Sequence, residues 1–167
     1  MGHLRKQVHV GNHGVSLIEL VVSLTILAIL ASLVLPSARM TAKRTKEIEL
    51  RRNLRTIRLA IDEFKKTYDK AVDDKKLIQS LNKSGYPETL KQMVDGHDFG
   101  GLYSTKRKYL RRIPPDPFSA ETDTEKQWGL RSYVDQPDST NWGGEDVYDV
   151  YSLSEETALD GSKYKEW

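Results

Sequence analysis

An α+β fold, with one long N-terminal helix packed on a small antiparallel sheet, is what the sequence predicts. Three observations predict it. Residues 15–35 form one apolar run of helical length. Leu50, Leu54, Ile57, Ile61, Phe64 and Tyr68 then recur at spacings of four and three, the period of one helix face. Two strand-like runs, 128–134 and 147–153, come only late in the chain, so helix and sheet are segregated rather than alternating.

The 167 residues leave room for one domain plus extensions. Mean hydropathy is −0.59 in spite of the apolar run, so the remainder is very hydrophilic. There is no cysteine to staple the fold or act as a nucleophile. The formal charge of +2 comes from Arg5 and Lys6, because residues 15–167 hold 24 basic and 24 acidic side chains. No basic excess recommends nucleic acid as a partner.

The first element is the apolar run. Its 21 residues, 15–35, contain one charge, Glu19. At ~1.5 Å per residue it reaches ~30 Å, the thickness of a bilayer core. It is longer than the apolar part of a removable secretory signal and lacks an A-x-A exit. Arg5 and Lys6 precede it, which places residues 1–14 in the cytoplasm by the positive-inside rule. Arg39, Lys43 and Arg44 follow it and weaken that asymmetry. Glu19 has two readings. Ser16 and Glu19 have the S-x-x-E spacing of a capping box, and a helix start tolerates an acid. Yet an acid at the centre of a span costs about 2.5–3.5 kcal/mol, and such residues are usually functional.

The second element is the helix continuing over 37–70, which has no Gly or Pro. From 39 to 49 it is mostly polar, with Met40 and Ile48 as the main exceptions. The first half thus reads as membrane, the middle as bare stalk, and the last turns as packed on a head. The stripe from Leu50 covers fewer than three heptads, too short for a coiled-coil seam. Residues 39–66 carry ten basic and four acidic side chains, and 116–167 carry four basic and 13 acidic. The basic face is either simply solvated or complementary to an acidic surface.

The head, 71–167, follows. A short helix is predicted over 86–96, with Pro87 in its first turn and Gly96 past its end. Its face of Leu90, Met93 and Val94 packs on the long helix. Pro114, Pro115 and Pro117 exclude regular structure over 113–118. In the second strand Val147, Asp149, Tyr151 and Leu153 face one way, and Tyr148, Val150 and Ser152 the other. The loop 135–146 between the strands is turn-rich. All 14 aromatic residues lie at Phe64 or later, so the head holds the aromatic core. His97 is the only histidine after residue 14, and there is no P-loop or G-x-G-x-x-G. With no cysteine either, few nucleophile–base or zinc arrangements are open, and no active site is read.

Gly14-Val15-Ser16-Leu17-Ile18-Glu19-Leu20 resembles the processing motif of type IV pilins and type II secretion pseudopilins. The resemblance implies a leader over 1–14, removed by a prepilin peptidase between Gly14 and Val15, with N-methylation at Val15. It implies a transmembrane and filament-core segment over 15–36, an amphipathic segment over 37–70 and a periplasmic head over 71–167. Pro36 resembles the proline that ends or kinks the buried part of the family's first helix. Val15 departs from the Phe or Met usual after the cut. Glu19 would pair with the Val15 amine of a neighbouring subunit in the filament.

Arg112 to Phe118, the Tyr148–Ser152 run, Asp160-Gly161 and Trp167 resemble the major pseudopilin of type II secretion. That resemblance implies a structural subunit of a helical pseudopilus driving export. Its partners would be further copies of itself, minor pseudopilins and an inner-membrane assembly platform, with membrane lipid before assembly. It also implies calcium, held by the Leu153 carbonyl with Glu156 and Asp160. Residues 154–159 lack the glycine and aspartate usual in that loop. Asp135, Asp138, Asn141 and Asp146 form a rival acidic loop, and neither has EF-hand spacing. Two other readings stand beside the pseudopilin: a surface pilin, and an unprocessed membrane-anchored binding domain.

Overall fold

Ser16 starts the first element. Its side-chain oxygen accepts a hydrogen bond from the Glu19 amide at 3.2 Å, and its carbonyl accepts from Leu20 N at 3.1 Å. This is the N-cap of α1, Leu17–Asp73, 57 residues. The computed structural model describes residues 14–78 and 84–167, without the side chains of 33–36. The leader expected over 1–14 therefore lies outside the described residues except for Gly14, and the Pro36 side chain lies outside them too. α1 continues through position 36, as the expected helical segment over 37–70 requires.

The chain divides into two units, Met1–Thr41 and Ala42–Trp167. In the first, none of the apolar window of α1 is buried within the chain. Its hydroxyls are occupied locally. Ser23 Oγ donates to Glu19 O at 2.7 Å, Thr25 Oγ1 to Val21 O at 2.8 Å and Ser32 Oγ to Ile29 O at 2.7 Å. A helix in lipid must satisfy its polar atoms internally, and these do.

In the second unit the apolar stripe is buried as its spacing requires. Leu50, Leu54, Ile57, Ile61 and Phe64 are all 2% exposed or less, and Tyr68 packs at the margin. The helix ends where Lys76 N and Leu77 N both donate to Ala71 O, with Lys75 at φ 55°. The second helix, α2, is shorter than the sequence suggests: it spans Leu90–Asp95. Pro87 is not in its first turn. Thr89 is the N-cap, with its hydroxyl oxygen accepting from Gln92 N, and the Gln92 side-chain oxygen accepts from Glu88 N. These side-chain acceptors place the start at 90. Gly96 ends α2 at φ 89°, where a side chain is strained. Leu90 and Met93 are fully buried in the same core cluster as the α1 stripe.

The sheet has two antiparallel strands, β1 Trp128–Arg131 and β2 Asp149–Ser152, with Gly129 opposite Tyr151 and Leu130 opposite Val150. Both are shorter than the predicted 128–134 and 147–153. Carboxylates explain the early exit of β1: Asp135 accepts from Ser132 N at 2.7 Å, and Asp146 accepts from Tyr133 N at 2.9 Å. Amides taken by side chains cannot continue a ladder. The expected division of β2 into two faces also changes. Val147, Val150, Tyr151 and Ser152 are all buried, and Tyr148 and Leu153 are exposed. Tyr151 is covered because its ring lies against Gly129 and its hydroxyl reaches Thr140 O at 3.2 Å.

The proline segment is irregular and firmly tied. The buried Asp116 accepts from Ser152 Oγ at 2.6 Å and from Phe118 N at 2.8 Å, and its own amide donates to Gln127 Oε1 at 2.8 Å. Trp128 Nε1 donates to Pro114 O, and Asn53 Nδ2 donates to Pro115 O. Arg58 gathers α1, β2 and the last residue. It donates to Asp149 Oδ1 at 2.7 Å, Val150 O at 3.0 Å and Trp167 O at 2.9 Å.

Candidate functional site

Gly14, Val15 and Glu19 share one short stretch at the start of α1. Residues 14–16 are non-helical and exposed. The Ser16 cap stops the helix just short of the Gly14–Val15 peptide bond. Nothing lies within 4 Å of a side chain built on Gly14. Its small size therefore serves no packing need among the described residues.

Glu19 lies in the first turn of α1 and is exposed. Only half of the anticipated capping box forms. The Glu19 amide is bound by Ser16 Oγ, but among the described residues no donor or cation reaches its carboxylate. Around it are exposed apolar side chains: Val15 is 69% exposed, Leu17 82% and Ile18 69%. Glu19 is thus an acid on an apolar surface with no partner among the described residues.

The residues assigned to calcium lie in the C-terminal turn. Glu156 and Leu153 are exposed there, and Asp160 is bound on both oxygens. Asp160 Oδ1 accepts from Ser162 Oγ at 2.6 Å and Ser162 N at 2.9 Å, while Oδ2 faces Arg51 at 3.3 Å. The Ser162 hydroxyl and amide hold the Asp160 carboxyl below the usual carboxylate range. Among the described residues, no three His, Cys, Asp or Glu side chains gather as ligands. Calcium takes six to eight oxygens, and of the assigned ligands it is Asp160 whose oxygens already meet Ser162 and Arg51. The rival loop does not gather either. Asp135 caps Ser132 N and Gly143 N, and Asp146 caps Tyr133 N.

The structure adds residues that sequence reasoning passed over. Glu47 Oε1 accepts from Leu159 N at 2.8 Å and from Tyr164 Oη at 2.9 Å. Burial, then the Glu47 carboxylate, raise the Tyr164 phenol far above its ordinary pKa. Lys43 Nζ donates to the Thr157 carbonyl. The spacing 43, 47, 51 marks one helix face, but a face alone does not say what it meets.

Residues 11–35 match the prokaryotic N-terminal methylation motif. The match supports the pilin-like family, whose members are structural subunits of pili or pseudopili rather than enzymes, processed by a prepilin peptidase. With one described helix long and apolar enough to span a bilayer, it is consistent with a single-pass anchor in the inner membrane. No curated protein and no solved structure matches the chain significantly.

Proposed function

We propose that this chain is a structural subunit of a helical pseudopilus that drives protein export through a type II secretion system. One observation carries the filament reading. Glu19 is a carboxylate on an otherwise apolar helix surface, and its own chain leaves it unpaired among the described residues. Removal of residues 1–14 frees an α-amine at Val15, with a reference pKa near ~8. Two opposite charges ~4 Å apart attract by about 4 kcal/mol at an effective dielectric of ~20. A charge left unpaired in a dry filament core costs several kcal/mol. The pair therefore selects the axial register in which Glu19 of one copy meets Val15 of the next.

In this reading the subunit waits in the inner membrane with residues 71–167 in the periplasm. An assembly platform then extracts it into the fibre. The resemblance of 112–118, 148–152 and 160–161 to the major pseudopilin supports type II secretion over a surface pilus. Replacing Glu19 by Ala in the native host tests the filament role, with filaments and extracellular protein assayed together. The expected result is processed subunit, no fibre and lost export. Normal fibres would remove the register role. Lost surface filaments with intact export would make the chain a surface pilin.

A further inference from the structure

We propose that the C-terminal turn, residues 153–164, is fastened to α1 by a metal-independent clasp of Lys43, Glu47 and Arg51, so that the fold of Ala42–Trp167 does not depend on calcium. The inference does not rest on the secretion reading, since it concerns only how this unit holds together.

Three successive turns of α1 present one side chain each to the loop. Lys43 Nζ donates to Thr157 O. Glu47 accepts from the Leu159 amide and the Tyr164 hydroxyl through the same oxygen, at 2.8 and 2.9 Å. Arg51 faces Asp160 at 3.3 Å, and its guanidinium lies 3.8 Å from the centre of the Trp167 ring. The Arg51–Asp160 pair is exposed on both sides and is worth little by itself. Glu47 is the centre, since it joins a backbone amide to a fully buried phenol.

The Asp160 carboxylate and the carbonyls of Glu156, Ala158 and Ser162 already accept hydrogen bonds. Ala158 N donates to Ser162 O at 2.7 Å, Gly161 N to Ala158 O at 3.1 Å and Tyr164 N to Glu156 O at 3.3 Å. Ser162 and Arg51 occupy Asp160. Trp167 Nε1 donates to Ser162 Oγ at 2.7 Å. A divalent ion needs free oxygen lone pairs, and these oxygens meet N–H and O–H donors instead. It would also enter beside the Lys43 ammonium and the Arg51 guanidinium, which disfavour more positive charge. Packing seats the turn as well: Tyr164 stacks on Phe118 at 4.1 Å and meets Trp167 edge-on at 5.0 Å.

The test uses the full chain in detergent micelles, in excess EGTA or in millimolar calcium. The expected unfolding midpoint is the same in both, within about 1 °C. A calcium ion at a hundred times its Kd would raise the midpoint by roughly 8 °C, and such a rise would overturn the inference. Limited trypsin digestion at Lys163 and Lys165 is the second readout. Glu47→Ala should speed this cleavage at least tenfold, and calcium should not restore protection. Should Glu47→Ala fail to fold, Glu47→Gln, which keeps one acceptor oxygen, is expected to show an intermediate rate. Cleavage unchanged in both variants would overturn the clasp, as would protection restored by calcium.

Discussion

Gly129 is the position where one methyl group should do the most damage. In β1 it sits opposite Tyr151. A Cβ built on it falls 2.2 Å from Cζ, 2.4 Å from Cε2 and 2.5 Å from Cε1 of that ring. The ring must retreat by about 1.2 Å to reach ordinary contact at 3.4 Å. It has nowhere easy to go: it is 4% exposed, Arg131 stacks on it at 4.1 Å, and its hydroxyl donates to Thr140 O at 3.2 Å. A shift of that size breaks the hydrogen bond, about 1 kcal/mol, and the cation–π contact, about 1 kcal/mol. Overpacking adds about 1–3 kcal/mol, and an alanine strand residue returns about 0.5–1 kcal/mol. The net cost of Gly129→Ala is about 2–4.5 kcal/mol, or roughly 7–15 °C for a unit of this size. Near-ultraviolet circular dichroism follows it cleanly, because every aromatic residue lies at Phe64 or beyond. A double-mutant cycle with Tyr151→Ala isolates the clash, since Gly129→Ala should be nearly neutral once the ring is gone. A midpoint within about 3 °C of the parent, or strict additivity with Tyr151→Ala, would refute the reasoning.

Two other expectations concern single residues. Gly14→Ala meets no atom within 4 Å among the described residues, so the unfolding midpoint should stay unchanged, while intact mass from the native host should show residues 1–14 retained and no added methyl group. The amides of Ser132 and Gly143 hold the Asp135 carboxyl below its usual range. Its contribution is therefore complete above the unfolded value of about 4 and is lost as pH falls through the lower folded value. Urea titrations of Asp135→Asn should show a deficit at neutral pH that shrinks toward zero in acid, and a deficit independent of pH would contradict this.

The long helix was readable because its information is periodic. Leu50 to Phe64 announce a buried face by spacing, and that face is buried. The sheet was readable as two late strands but not in its extent. What ends β1 is a pair of carboxylates, Asp135 and Asp146, reaching back from residues that look like ordinary loop acids. The start of α2 was misplaced for a similar reason: Pro87 fits a first turn by type, but Thr89 holds the cap. At the N-terminus the motif is contiguous, so Gly14, Val15 and Glu19 could be picked out before any coordinates. The C-terminal turn is the opposite case. Glu47 lies more than a hundred residues from Leu159 and Tyr164, and no local pattern joins them.

The hydroxyls of Ser23, Thr25 and Ser32 bear on how copies of this helix can recognise one another. Each donates to a carbonyl of its own helix, so none is left wanting a bond when lipid gives way to protein. A helix leaving a bilayer for a bundle would then exchange one hydrocarbon-like surrounding for another, without re-pairing these groups. Such a surface slides and rotates with little preference, being greasy and chemically mute. In the filament role proposed above, whatever stops the sliding must come from outside that face, and Glu19 is the one side chain in the run with a full charge to spend on it.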